Sequence, residues 1–107
     1  MKKNINHLLF GGKMFVIVTY DIKMDDNGAR VLNNVFKICK KYLFRVQHSV
    51  FAGELTKIML DELKEKLLLH LRMKIDNCKI YSIKNYKNVI IDSVTDTDKC
   101  KKNNIIY

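Results

Sequence analysis

Asp21 closes the most hydrophobic run in the chain, Phe15-Val16-Ile17-Val18-Thr19-Tyr20. A carboxylate in such a place is costly to bury unless it is paired or bound to a metal. One carboxylate makes a poor magnesium site. Two, brought together by a dimer axis, can hold one Mg²⁺ (or Mn²⁺), with water and substrate phosphate completing the shell. A metal held that way activates water and stabilises charge at phosphorus. The competing assignment is an Asp that caps the turn into the next helix. Arg45 stands beside Gln47 and Ser49 at the start of a later strand. Its planar fork suits a phosphate, and the amide and hydroxyl add donors; the alternative is a surface Arg with an ion-pair partner. Phe51 alternates with Gln47 and Ser49, so it can stack on a base, fill a dimer interface or pack in the core. Tyr20 should face the other side of its strand from Asp21, with its hydroxyl in reach of polar groups at the strand end. His48 has a ring suited to acid–base work, although a lone strand His is more often structural.

These residues need a scaffold, and the sequence supplies one. The run 15–20 is β-branched and aromatic, and its continuity predicts a central strand. Asp25-Asp26-Asn27-Gly28 offers a turn and helix caps. Val31, Leu32, Val35, Cys39, Tyr42 and Leu43 then recur at helical spacing, with Lys37, Lys40 and Lys41 off the stripe. Residues 44–52 predict two short strands or one bent strand, followed by Gly53-Glu54-Leu55 and a capping Thr56. Leu60, Leu63, Leu67 and Leu71 mark a second amphipathic helix. Lys79–Ile83 and Val89–Ile91 predict strands either side of a turn at Asn85-Tyr86-Lys87-Asn88. The order β-α-β(β)-α-β-β implies an α+β sandwich of ferredoxin-like type, βαββαβ with an additional short C-terminal strand. Two helices cover only one face of such a sheet, and the apolar strand residues favour a partner on the other.

The 107-residue chain has room for one domain. Its net charge of +9, from 20 Lys+Arg against 11 Asp+Glu, points to a polyanionic partner. Residues 1–13 differ in character from the rest, and the codons for Gly-Gly-Lys-Met can hold a purine-rich ribosome-binding stretch. Met14 is therefore expected to be the native start, with 1–13 a disordered lead or upstream over-read. Removing Lys2, Lys3 and Lys13 from the total leaves a charge of +6. The domain is expected over 14–92 and a mobile tail over 93–107, whose final apolar triplet can add to a sheet edge. Cys39, Cys78 and Cys100 are scattered and form no CxxC pair, which argues against disulfides or a zinc cage and fits a reducing, cytoplasmic setting. No apolar run reaches membrane-span length, so no membrane partner is expected. P-loop, GxGxxG, HExxH, GxSxG and RNP1 patterns are absent from the sequence.

Val18-Thr19-Tyr20-Asp21-Ile22, followed by Arg45-Val46-Gln47-His48-Ser49-Val50-Phe51-Ala52-Gly53-Glu54-Leu55, resembles the CRISPR-associated protein 2 family. The second stretch is the more specific. The resemblance runs from about Met14 to Asp92. It implies a ferredoxin-like homodimer in which Asp21 faces its dimer mate and binds a divalent metal. It also marks Arg30, Arg45 and Phe51 as nucleic-acid-binding candidates, with Tyr20, Gln47 and Ser49 in support. The activity it implies is metal-dependent endonuclease cleavage of single-stranded RNA or duplex DNA. A second role it implies is that of a bridge, catalytic or not, in spacer acquisition with the CRISPR integrase; a toxin-like endoribonuclease is the third. In the scaffold role Lys37, Lys40, Lys41 and Lys74 are the expected phosphate contacts. Here His48 stands where Tyr is frequent, and Arg30 is the one arginine between Asp21 and the first helical turns.

Overall fold

The computed structural model describes residues 12–95 and the backbone of Ile105–Ile106. The expected lead and most of the expected tail lie outside the described residues. The elements are β1 (Lys13–Asp21), α1 (Gly28–Tyr42), β2 (Phe44–Gln47), β3 (Val50–Thr56), α2 (Lys57–Leu68), β4 (Asn77–Ile83), β5 (Ile90–Ile91) and β6 (Ile105–Ile106).

The first four strands form one antiparallel sheet in the order β2-β3-β1-β4, the ferredoxin-like arrangement. The uninterrupted apolar run of β1 suits its central position between β3 and β4. Met14, Val16, Val18 and Tyr20 alternate onto the helix side and join one core with Phe51 and Leu55 of β3. Val31, Val35 and Cys39 of α1 and Leu60, Leu63 and Leu67 of α2 close that core from above, as their spacing predicts. Burying each such aliphatic side chain contributes about 1.5–3 kcal/mol. Leu71 falls beyond the end of α2 but still packs against the core.

Local signals set the element ends. The Thr56 hydroxyl accepts from the Met59 amide at 3.2 Å, capping α2 as expected. At α1 the cap residue is Asn27, which makes no side-chain cap bond; Asp25 instead accepts from the Asn27 amide at 3.1 Å. A side chain at Gly28 would collide with the backbone carbonyl of Lys23, so the tight return from β1 into α1 requires glycine there. The segment 44–52 resolves into two strands with a turn at His48-Ser49. The second of them runs on through Gly53 to Thr56. A Cβ at Gly53 would lie 3.1 Å from Leu43 Cδ2, so the glycine serves the close packing of β3 on Leu43 and does not end the strand.

The other face of the sheet carries no helix. Phe15, Ile17, Thr19 and Asp21 of β1 alternate onto it. Beside them stand Val50, Ala52 and Glu54 of β3, and Asn77, Lys79, Tyr81 and Ile83 of β4. One end of this face is covered by the chain itself. Asn85 and Asn88 take left-handed backbone conformations (φ 53° and 49°), which asparagine tolerates. The turn brings the Tyr86 ring to 5.8 Å from Phe15, and the Tyr86 hydroxyl donates to Glu54. The remainder is open: Tyr81 is 51% exposed and Phe44, which pairs with Ala52, is 67% exposed. Ile105–Ile106 pair with β5, not with the main sheet, forming a separate two-stranded ladder. Among the described residues no helix is long and apolar enough to cross a membrane.

Candidate functional site

β1 delivers Asp21 to the helix-free face at its C-terminal end, paired in register with Asn77. The carboxylate is exposed. It is not the cap of α1, since Asn27 holds that position. No side-chain hydrogen bond or ion pair engages the Asp21 carboxylate among the described residues, whereas Asp25 and Asp76 are committed. Arg72 Nη1 donates to Asp25 at 2.6 Å, while its Nε and Nη2 donate to Asp76 at 2.9 and 2.8 Å. Arg72 also bonds the Lys23 carbonyl at 2.8 Å, and Asp76 accepts from the Lys23 amide at 3.1 Å. The guanidinium holds the Asp76 carboxyl down at about 2 and also lowers that of Asp25. This staple fixes the chain two residues beyond Asp21 and leaves Asp21 as the uncommitted anion of the strand end. Arg72 and Asp25 lie 47 residues apart in sequence, which is why sequence reasoning missed the staple.

Asp21 shares its face with Thr19 on its own strand and with Asn77 and Lys79 on β4. The period-two alternation of β4 was the signal for the last two. Asp21, Thr19 and Asn77 bring oxygen atoms, the ligand class that hard cations take, although one carboxylate alone is a weak magnesium site. Among the described residues no cluster of three or more His, Cys, Asp or Glu side chains is placed to hold a metal. At the β1 end of this face the described residues of one chain place a single carboxylate, Asp21.

The other candidates lie elsewhere. Tyr20 is buried in the core, stacked on Phe51 with ring centroids 6.3 Å apart. Its hydroxyl donates to the His48 carbonyl at 3.3 Å, and burial pushes its pKa up to about 12. Phe51 is 0% exposed and also meets Phe36 edge-on at 5.8 Å, so of its three assignments the structure gives it the core; no base can stack on it here. Arg45 lies on the helix side, with its guanidinium 4.9 Å above the Phe36 ring and Nη2 2.9 Å from His48 Nδ1. It has no carboxylate partner among the described residues, which removes the ion-pair assignment. A register shift between Arg45 and Gln47 sets exposed Gln47 opposite Val50 and breaks the expected Gln47–Ser49–Phe51 row. Ser49 lines a cleft with Arg45. Arg30 is exposed and donates to the Asn27 side chain at 3.1 Å. The structure thus brings Arg45, His48, Ser49 and Tyr20 together, and holds them apart from Asp21.

Residues 14–89 match the family described as CRISPR associated protein Cas2. The chain belongs to the Cas2 family. Among curated relatives, the CRISPR-associated endoribonuclease Cas2 of Fusobacterium nucleatum is 42% identical over 86 residues, covering 79% of this chain and 81% of the relative. A Cas2 endoribonuclease of Moorella thermoacetica is 37% identical, covering 77% and 91%. The solved structure of Streptococcus pyogenes Cas2 superposes with a TM-score of 0.60 at 35% identity, covering 64% of this chain and 83% of that one. A further Cas2 crystal structure gives 0.65 at 35% identity, covering 83% and 93%. The Cas2 match spans both Asp21 and the Arg45–Gly53 segment.

Proposed function

We propose that the chain is a metal-dependent endonuclease subunit acting on phosphodiester bonds of RNA or DNA, and that it works as a homodimer in spacer acquisition with the CRISPR integrase. The observation that carries this reading is the uncommitted Asp21 carboxylate at the rim of an apolar, helix-free sheet face. Tyr81, Ile83 and Ile17 on that face are suited to burial against a second copy, which would bring two Asp21 side chains to one axis. The pair would hold Mg²⁺ or Mn²⁺, which supplies water activation and charge neutralisation at phosphorus. Lys79 sets an ammonium on the same face to attract the scissile phosphate, and Thr19 and Asn77 offer neutral donors to orient it. The cellular setting this reading implies is the cytoplasm.

The test is cleavage of labelled single-stranded RNA and duplex DNA, with Mg²⁺ or EDTA, by wild type and Asp21→Ala. Metal-dependent cleavage by wild type alone is expected. A second reading has its own support in the net charge of +9 and in Lys37, Lys40 and Lys41 exposed along α1: a non-catalytic dimer that bridges duplex DNA. If neither protein cuts and both bind duplex DNA equally, the bridge replaces the enzyme.

A further inference from the structure

On the helix side of the sheet, between the first half of α1 and the β2–β3 turn, lies a cleft of about 330 Å³. Leu32 and Phe36 give it apolar walls, and Asn33, Arg45, His48 and Ser49 give it polar ones. Arg45 is its one charged residue with a fixed charge, and no acid lines it. The guanidinium is half-buried, laid over Phe36 and touched by His48, a group that brings no negative charge. Its Nε is buried with no hydrogen-bond partner among the described residues. Leaving such a donor unsatisfied costs about 1–3 kcal/mol, and more when the group is charged. The strand therefore keeps an unneutralised guanidinium, steadied by Phe36 and His48, at the edge of this space, a charge-assisted donor suited to phosphate.

Two further features narrow the ligand. The volume sits at the small end of the range for ligand pockets, enough for one nucleotide. Beneath it the Tyr20 amide and hydroxyl bond to the carbonyls of Ser49 and His48 at 3.1 and 3.3 Å, which ties the β2–β3 turn to β1. The space holds about one nucleotide, so a strand end fits within it whereas a continuous strand would have to run across its mouth. Asp21 is on the opposite face and two strand spacings away, roughly 10 Å across the sheet. One phosphate cannot touch both.

We infer that this cleft is a second site, separate from Asp21, that takes a phosphomonoester of nucleotide size: the terminal phosphate of a nucleic acid strand or a free nucleoside monophosphate. The nucleic-acid reading above informs the kind of ligand, while the geometry of the cleft stands without Asp21.

The experiment titrates the full chain with a short oligodeoxynucleotide carrying a 5′-phosphate, its 5′-hydroxyl twin, adenosine monophosphate, adenosine and inorganic phosphate. Arginine Nε–H resonances and direct binding are followed together. The 5′-phosphorylated strand should bind at least ~10-fold more tightly than its twin, the least that one charge-assisted pair supplies. The Arg45 Nε–H resonance should move with the phosphorylated ligands and stay still with adenosine. Arg45→Met, which keeps the stem over Phe36, should abolish the preference; Asp21→Asn should retain it. Saturation by adenosine monophosphate with displacement of the strand assigns the site to free nucleotide, and saturation by the strand alone assigns it to strand ends. Equal affinity for the two strands, or an Arg45 resonance that no phosphate moves, overturns the inference, and the wild-type spectra decide this even if Arg45→Met fails to fold. Loss of the preference in Asp21→Asn also overturns it, because the two sites are then one. A wild type that never cuts but keeps the preference sinks the nuclease reading and leaves this one standing.

Discussion

Phe51 lies within the segment matched to Cas2, and removing it should damage the fold before it damages any ligand contact. The side chain is 0% exposed and touches both Tyr20 and Phe36. Phe51→Ala deletes the ring from a packed core, and truncations of this kind cost about 3–5 kcal/mol. Each aromatic pair contributes about 0.5–1.5 kcal/mol of that loss. Domains of this size are stable by about 5–15 kcal/mol, so the variant should keep between about four-fifths and very little of its stability. Phe51→Leu refills part of the space and should cost less than half as much. The chain has no Trp, so urea unfolding is best followed by far-UV circular dichroism, at one protein concentration for all variants. The expected result is a fall in midpoint with an unchanged slope, and nucleic-acid binding that falls only as the folded fraction falls. A Phe51→Ala protein within about 0.5 kcal/mol of wild type that nonetheless loses nucleic-acid binding would refute the core assignment.

Three other perturbations test the positioning of the site. Thr56→Ala removes the hydroxyl that accepts from Met59 and should destabilise by about 1 kcal/mol in the same unfolding assay, while Thr56→Ser should restore most of it. Gly28→Ala drives a methyl into the Lys23 carbonyl; it should lower the melting temperature despite the better helix propensity of alanine, and a rise would show that the turn yields freely. Asp76 has its pKa held down at about 2 by Arg72, so its contribution is fully present above the ordinary carboxylate range and is lost as pH falls through about 2. Stability measured from about pH 5 to 2 should therefore fall steeply in wild type and less steeply in Asp76→Asn; parallel curves would remove the staple from the account of acid sensitivity.

Much of this arrangement is legible in the sequence because it follows from short-range period. The run 15–20 places Tyr20 and Asp21 on opposite faces, and the leucine spacing of 60, 63 and 67 places α2. What is not legible depends on contacts between distant segments. Arg72, Asp25 and Asp76 are unremarkable as a sequence, yet together they tie the chain after β1 to the approach to β4 and spare Asp21 from pairing. Gly53 suggests a strand end, whereas the cause of the glycine is Leu43 from another segment. The alternation of Gln47, Ser49 and Phe51 suggests one functional row, but an unpaired residue at Val46 shifts the register and scatters them. Phe36, outside the expected helical stripe, turns out to support both Phe51 and Arg45.

The exposed position of Asp21 leads to a last prediction that separates a shared site from two independent ones. A lone carboxylate on an open face has little cause to bind Mg²⁺ tightly, since the ion dehydrates reluctantly and favours sites with more than one anionic ligand. If activity needs one Asp21 from each copy, a dimer with a single wild-type subunit is inactive. Wild type and Asp21→Asn, unfolded together and refolded in equal amounts, then give about one quarter of the wild-type dimers and about one quarter of the rate, because isologous pairing is random. If each Asp21 acts alone, the same mixture retains about one half. Varying the ratio gives a quadratic or a linear dependence on the wild-type fraction. The substitution sits on an exposed residue without a partner among those described, so it should leave the unfolding curve within about 0.5 kcal/mol and the pairing itself unbiased. A linear dependence would break the link between the helix-free face and the chemistry, and would require a complete metal site within one chain, for which the described residues offer no second uncommitted carboxylate on the Asp21 face nearer than Glu54, already bonded to Tyr86.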